Sequence, residues 1–263
     1  MEKNLKHSGT RSTEVCQREI DHAVFAREAA EEGIVLLKNE GLLPLKKDTK
    51  IALLGIGAEK TIKGGTGSGD VNNRESVSIY AGIKEKNAGI VSEEWLKDYH
   101  NRYEQARTEW KEQILEAAKH VDNPFDAYAA NPFAMPDGRA VTNEDIKAAE
   151  AAVYVISRIS GEGKDRRKRK GDYYLSDQEE KDLYFLNEQK IPTVLIINAG
   201  GPVELTDLLA GTENICAILN ISQLGQEGGN AVADILFGEL TPSGKLTTTW
   251  TKRYDDCPAA EEF

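Results

Sequence analysis

Cysteine is scarce. Cys16, Cys216 and Cys257 stand far apart and form no Cys-x-x-Cys pair. That spacing argues against a disulfide framework and a thiolate zinc site, and points to free thiols in a reducing compartment. The four histidines show no metal-ligand spacing either, so no metal and no cofactor is expected. Long apolar runs are missing: no stretch reaches the roughly 18 residues of a membrane span. Met1–His7 lacks the apolar core of a secretory signal. These absences predict a cytoplasmic protein with no membrane partner. Basic residues are in deficit, 33 Lys and Arg against 44 Asp and Glu for a net charge of −11, which disfavours nucleic acid as the main partner.

What remains is a chain of 263 residues with a hydrophobic share of 40%, enough for one large α/β domain or two small ones with a full core. Residues 1–20 are polar and read as an arm. Val24, Phe25, Ala29, Ile34 and Leu37 recur at helical spacing, predicting a helix over 21–37 capped by Asp21 and stopped at Gly41 and Pro44. Residues 51–55 read as a short buried strand, 76–88 and 95–121 as helices. Asp122–Val141, with three prolines and little periodicity, reads as a loop. Asn143-Glu144-Asp145 opens a further helix.

Ala151–Ile156 is an unbroken apolar run, the mark of a strand buried on both faces. Ser176 with Glu179 is a capping-box pattern starting an amphipathic helix to Gln189. Residues 193–197 and 215–221 read as strands, 226–236 as a helix, and the Thr-rich 245–250 as a last strand. The alternation predicts an α/β fold: a mostly parallel open sheet with helices on both faces, a flavodoxin-like three-layer sandwich.

A long polar loop, 157–176, leaves the carboxyl end of the 151–156 strand, where open α/β sheets bind ligands. Glu162 lies there between Gly161 and Gly163, whose freedom allows a carboxylate to be presented into a cleft. By spacing alone it could equally be a solvated turn residue. Gly55-Ile56-Gly57 resembles the start of a dinucleotide-binding turn, but Lys60 stands where a third glycine is required, and no acidic residue follows a second strand to hold a ribose. Gly64-Gly65-Thr66-Gly67-Ser68-Gly69 is no P-loop, because no Lys-Ser/Thr pair closes it. It reads either as a surface loop or as one whose backbone approaches a ligand.

Several stretches together carry a resemblance: residues 26–39 with Leu42-Leu43-Pro44-Leu45, the glycine-rich 64–69, the loop Arg158–Ser176, and Gly225-Gln226-Glu227-Gly228-Gly229 running on to 236–246. In this order the chain resembles the α/β-sandwich domain of family 3 glycoside hydrolases, the β-glucosidase family, over roughly residues 22–255 except 90–145.

The resemblance implies retaining chemistry with two carboxylates, an Asp nucleophile on a (β/α)8 barrel and a Glu on a sandwich loop. It places that general acid/base at Glu162. It gives Ser68, beside Gly67 in the glycine-rich loop, a hydrogen bond to a sugar hydroxyl. Arg158, Asp165 and Arg166 are expected to structure the loop. The implied substrates are β-glucosides or gluco-oligosaccharides. A barrel needs about 250 residues of its own, and nothing here provides them, so this chain alone is expected to be inactive.

The domain layout expected is an arm at 1–20, the sandwich at 21–255 with a helical or irregular insertion near 91–145, and at 256–263 the start of a linker. The missing barrel then lies downstream of Phe263, or the segment is cut from a longer protein. The alternative function is a non-catalytic carbohydrate-binding or interdomain scaffold module. The basic run in 164–170 is expected to be a solvated rim facing a partner domain, and 161–171 to make few contacts of its own.

Overall fold

The computed structural model describes residues 13–69, 71–86, 89–161 and 166–258. Six strands form one sheet in the order β1-β6-β5-β4-β2-β3. They are β1 (Val35–Asn39), β2 (Lys50–Leu54), β3 (Gly89–Ile90), β4 (Ala151–Arg158), β5 (Thr193–Ala199) and β6 (Ile215–Asn220). β1 pairs antiparallel with β6, and the remaining pairings are parallel. Without β1, the order is the flavodoxin-like one, and its topological switch point falls between β2 and β4.

Every residue of β4 and β5 is buried. A strand hidden along its whole length is covered on both faces, as the apolar run at 151–156 demanded. The mostly parallel sheet with covering helices is the architecture read from the sequence. No helix of the described residues is long and apolar enough to cross a membrane.

The helices are α1 (Gln17–Gly33), α2 (Ile79–Glu85), α3 (Glu93–Ala117), α4 (Pro124–Ala130), α5 (Asp177–Glu188), α6 (Thr206–Gly211) and α7 (Gly228–Leu236). α1, α2 and α7 pack together. The α2–α7 crossing is close: a Cβ on Gly229 would fall 2.0 Å from the Ser78 carbonyl oxygen, so only glycine fits. Charge ties the same three helices. Asp234 on α7, 2% exposed, accepts from Arg27 Nε of α1 at 2.7 Å and pairs with Lys86, the α2 cap residue, at 2.6 Å.

Four expectations are corrected. The helix starts at Gln17, not Asp21, and stops at Gly33; Val35–Asn39 is the edge strand β1. Helical spacing misled there because Val24 and Phe25 are 55% and 70% exposed, while the free edge of β6 gives residues 35–39 a hydrogen-bond ladder. Residues 143–148 are turns, not a helix. Asp145 is drawn inward by Arg139 and by Thr142, and Ala148 has a φ of 63°.

Residues 245–250 form no strand; 245–249 are exposed, so neither face of an alternating pattern has anything to cover. Within the expected loop at 122–141 lies α4, started by Pro124 behind Asn123, whose side chain accepts from Phe125 N–H at 3.2 Å. Both signals follow ordinary capping rules.

The insertion packs through rings. Trp95 stacks on Tyr99 with centroids 5.8 Å apart, and Phe133 meets Tyr103 at 5.4 Å and Trp110 at 5.5 Å. Trp95 Nε1 donates to the Arg139 carbonyl at 3.0 Å, closing the insertion on itself.

Candidate active site at the carboxyl ends of the strands

Parallel strands send their loops out of one end of the sheet, and the two at the switch point follow β2 and β4. The first turns at Gly55, φ 87°. It lies flat on β4: a Cβ on Gly57 would fall 2.0 Å from Ser157 Oγ. The glycines of 55–57 therefore serve close packing against the next strand.

Further out, the glycine-rich loop meets the loop that follows β4. Thr66 N–H donates to the Ser160 carbonyl at 2.8 Å, and Thr66 and Gly161 form a parallel bridge. Gly67 and Ser68 lie in the short 3-10 turn Gly67–Gly69. The segment carrying Ser68 and the residue that precedes Glu162 are thus brought together. Glu162 and Asp165 themselves lie outside the described residues.

Asn198, at the end of β5, holds this arrangement from below and was missed in the sequence. Its Oδ1 accepts from Ile62 N–H at 2.7 Å and from Ser157 Oγ at 2.9 Å; its Nδ2 donates to the Ile62 and Ser222 carbonyls at 2.9 and 2.7 Å. One fully buried amide so ties the loops after β2 and β6 to β4. The available signal was an Asn ending an apolar strand run, since a buried amide needs partners. Gln223 Nε2 donates to Ser160 Oγ at 2.9 Å, adding a second tie from the loop after β6.

Arg158 and Arg166 both bond to the described part of the loop. Arg158, 6% exposed, forms a bidentate pair with Glu179 at 2.7 Å on each arm. Its Nε donates to the Asp172 carbonyl at 2.9 Å and Nη2 to the Tyr174 carbonyl at 3.2 Å. Burial works against this guanidinium's charge, but the Glu179 carboxylate outweighs it and the pKa is raised. Glu179 is the capping-box residue anticipated at the start of α5, and also accepts from Ser176 N–H at 2.8 Å. Arg166 pairs with Asp172, whose other oxygen accepts from Arg167 N–H at 2.9 Å.

Over 166–171 the basic rim is solvated as expected, with residues 167–171 exposed, but it is not weakly held. Lys168 pairs with Asp255, and Lys170 with Asp177 and Glu180 at 2.5 and 2.8 Å. Asp177 is held below the usual carboxylate range by Lys170. Acidic residues of the same fold answer the charges of Lys168 and Lys170.

Among the described residues, no cluster of three or more His, Cys, Asp or Glu is placed to hold a metal. A cavity of about 860 Å³ lies between α1 and residues 72–75, lined by Ile20, Val24, Arg27, Asn73 and Gln226 among others. Among the described residues, Ser160 and Arg166 do not line it.

Against known families, the model described as the glycosyl hydrolase family 3 C-terminal domain matches residues 34–263. The chain belongs to this family. This family 3 domain is 31% identical to Beta-glucosidase A of Butyrivibrio fibrisolvens, over 92% of this chain and 30% of the relative. It is 32% identical to the Periplasmic beta-glucosidase of Salmonella typhimurium, over 90% of this chain and 29% of the relative. Among solved structures, beta-glucosidase 3B from Thermotoga neapolitana, in complex with alpha-D-glucose, superposes with a TM-score of 0.73 and 38% identity. That match covers 91% of this chain and 32% of that one. The chain spans about a third or less of the length of these relatives.

Proposed function

We propose that this domain supplies the general acid/base carboxylate and one wall of the sugar site of a retaining β-glycosidase acting on β-glucosides or gluco-oligosaccharides. Glu162 is the acid/base. Ser68, on the loop opened by Gly67, hydrogen-bonds a sugar hydroxyl. Arg158, Asp165 and Arg166 shape the loop between them. The nucleophile comes from a (β/α)8 barrel that these 263 residues do not include. In this layout the sandwich runs to about residue 255 and takes in α1 from Gln17.

The observation that supports this reading best is the pairing of two loops at the switch point: Thr66 N–H on the Ser160 carbonyl at 2.8 Å. It sets the glycine-rich loop beside the chain leading into Glu162 at the edge where α/β sheets take ligands. The similarity to β-glucosidases gives the substrate class. A loop carboxylate becomes a competent acid when a second domain closes over it: desolvation and the nucleophile's negative charge both raise its pKa, keeping it protonated until the leaving oxygen arrives.

The test is Glu162→Ala in the two-domain protein. Substrates with poor leaving groups should slow far more than activated aryl glucosides, because only the former need a proton on departure. Deglycosylation slows too, and azide should rescue the activated substrate with formation of a β-glycosyl azide. An equal loss for every leaving group, with no azide effect, refutes the assignment and leaves a binding or scaffold role. The isolated chain should hydrolyse no aryl β-glucoside, since one carboxylate of the pair is absent.

A further inference from the structure

Beyond the segment that carries Glu162, the described chain resumes as residues 166–174. From one side the Arg158–Glu179 pair holds this limb by its carbonyls at 172 and 174. From the other it is met by a segment from the far end of the chain, residues 251–256. The Tyr173 ring, 6% exposed, receives Tyr254 edge-on, with centroids 5.1 Å apart and planes at 86°. Lys168 Nζ stands 5.2 Å from the Tyr254 ring centroid while its charge pairs with Asp255. Tyr173 Oη and Thr251 Oγ1 are 3.5 Å apart.

The bracing segment is itself fastened. Thr206 Oγ1, on α6, donates to the Lys252 carbonyl, and Arg253 pairs with Asp207 of α6 at 3.6 Å. Cys257 N–H closes a turn on the Tyr254 carbonyl at 3.0 Å. On the limb, Glu204 N–H donates to the Tyr173 carbonyl at 2.9 Å and Gly171 N–H to the Tyr174 carbonyl at 3.1 Å. Residues 166–174 lead directly out of the segment that carries Glu162, so what holds this limb holds one end of that segment.

We propose that Tyr254 is a positioning residue for the acid/base loop: its ring, with Lys168 and Tyr173, braces the return limb and so fixes where the loop's carboxylate is delivered. This rests on the reading of Glu162 as the acid/base. The brace lies about 90 residues downstream of the loop in sequence. It concerns no group that touches substrate.

The experiment has two arms. In the 263-residue chain, Tyr254→Ala should speed amide hydrogen exchange at Gly171 and Glu204 by roughly 3- to 10-fold, the factor an edge-to-face ring pair supports. Amides of β4 and β5 should keep their protection, and Tyr254→Phe should behave as the parent. In the two-domain protein, Tyr254→Ala should lower kcat/KM by a similar factor for a poor leaving group and leave a dinitrophenyl glucoside nearly unchanged, with Tyr254→Phe restoring the parent rate.

Unchanged exchange at Gly171 and Glu204 overturns the brace. Faster exchange with an equal kcat/KM loss for both substrates, while Glu162→Ala discriminates between them, overturns the positioning role but not the acid/base reading. If Glu162→Ala does not discriminate either, the acid/base reading fails and takes the role of Tyr254 with it.

Discussion

Around the carboxyl ends of β4 and β5, most side chains that hold the structure are polar, with the Tyr173–Tyr254 ring pair beside them. Asn198 bonds Ile62 and Ser222, and Arg158 bonds Glu179, Asp172 and Tyr174. In the insertion of α3 and α4 the holding contacts are rings, Trp95 on Tyr99 and Phe133 between Tyr103 and Trp110, helped by the local pair of Arg139 with Asp145. Rings accept several packing geometries, offset or edge-to-face, whereas a buried guanidinium or amide must have each of its hydrogen-bonding groups met. The polar end is built to fix loop position. The aromatic end is built to bury surface.

The sharpest way to break that contrast is at Arg158. Arg158→Met should cost about 3–5 kcal/mol in urea unfolding, because it leaves the Glu179 carboxylate buried and unpaired. Adding Glu179→Met should recover much of the stability, since an apolar pair can replace a buried ion pair. The hydrogen-exchange protection of Gly171 should stay lost, because methionine cannot donate to the Asp172 and Tyr174 carbonyls. Recovery of both would mean that packing, not polar geometry, holds the limb.

A smaller effect is expected at Asp145, 5% exposed. Burial pushes its pKa up, but bonds from Arg139 and Thr142 push harder, and the net value is lowered. A depressed carboxylate stabilises the fold above its unfolded pKa of about 3.9 and loses that contribution as pH falls through the folded value. Asp145→Asn should therefore cost about 1 kcal/mol at pH 7, and the gap to the parent should close below pH ~4. A gap that is constant with pH would mean that shape rather than charge matters there.

The smallest change belongs to Tyr99. Its hydroxyl is buried with no hydrogen-bond partner among the described residues, and burial raises its pKa. Removing an unpaired polar group from an apolar stack carries no desolvation loss, so Tyr99→Phe should shift stability by less than about 1 kcal/mol, in the favourable direction. A clear loss would reveal a polar role in a region assigned here to rings.

Much of this was legible in sequence because it depends on local chemistry. Ala151–Ile156 is apolar without a break, and a strand with no polar face must be covered twice, which alone calls for helices on both sides of the sheet. Ser176 and Glu179 carried the start of α5 because a capping box needs only residues three apart. The family resemblance added Glu162 and Ser68 through the short glycine-rich stretches around them. Those two roles stand as proposals.

What sequence reading got wrong or missed depended on partners remote in the chain. Residues 35–39 are a strand because β6, some 180 residues later, offers a free edge. Residues 245–250 have the composition of a strand and form none, and 245–249 stay exposed. Nothing near Asn198 in sequence announces that it will bond residue 62. Nothing near Lys168 announces an aspartate at 255. Local propensity and patterning determined the elements and the class of fold. Only the tertiary structure decided the edge of the sheet, the ties between loops and the pairing of the basic run, because each is a contact between groups the chain brings together only by folding.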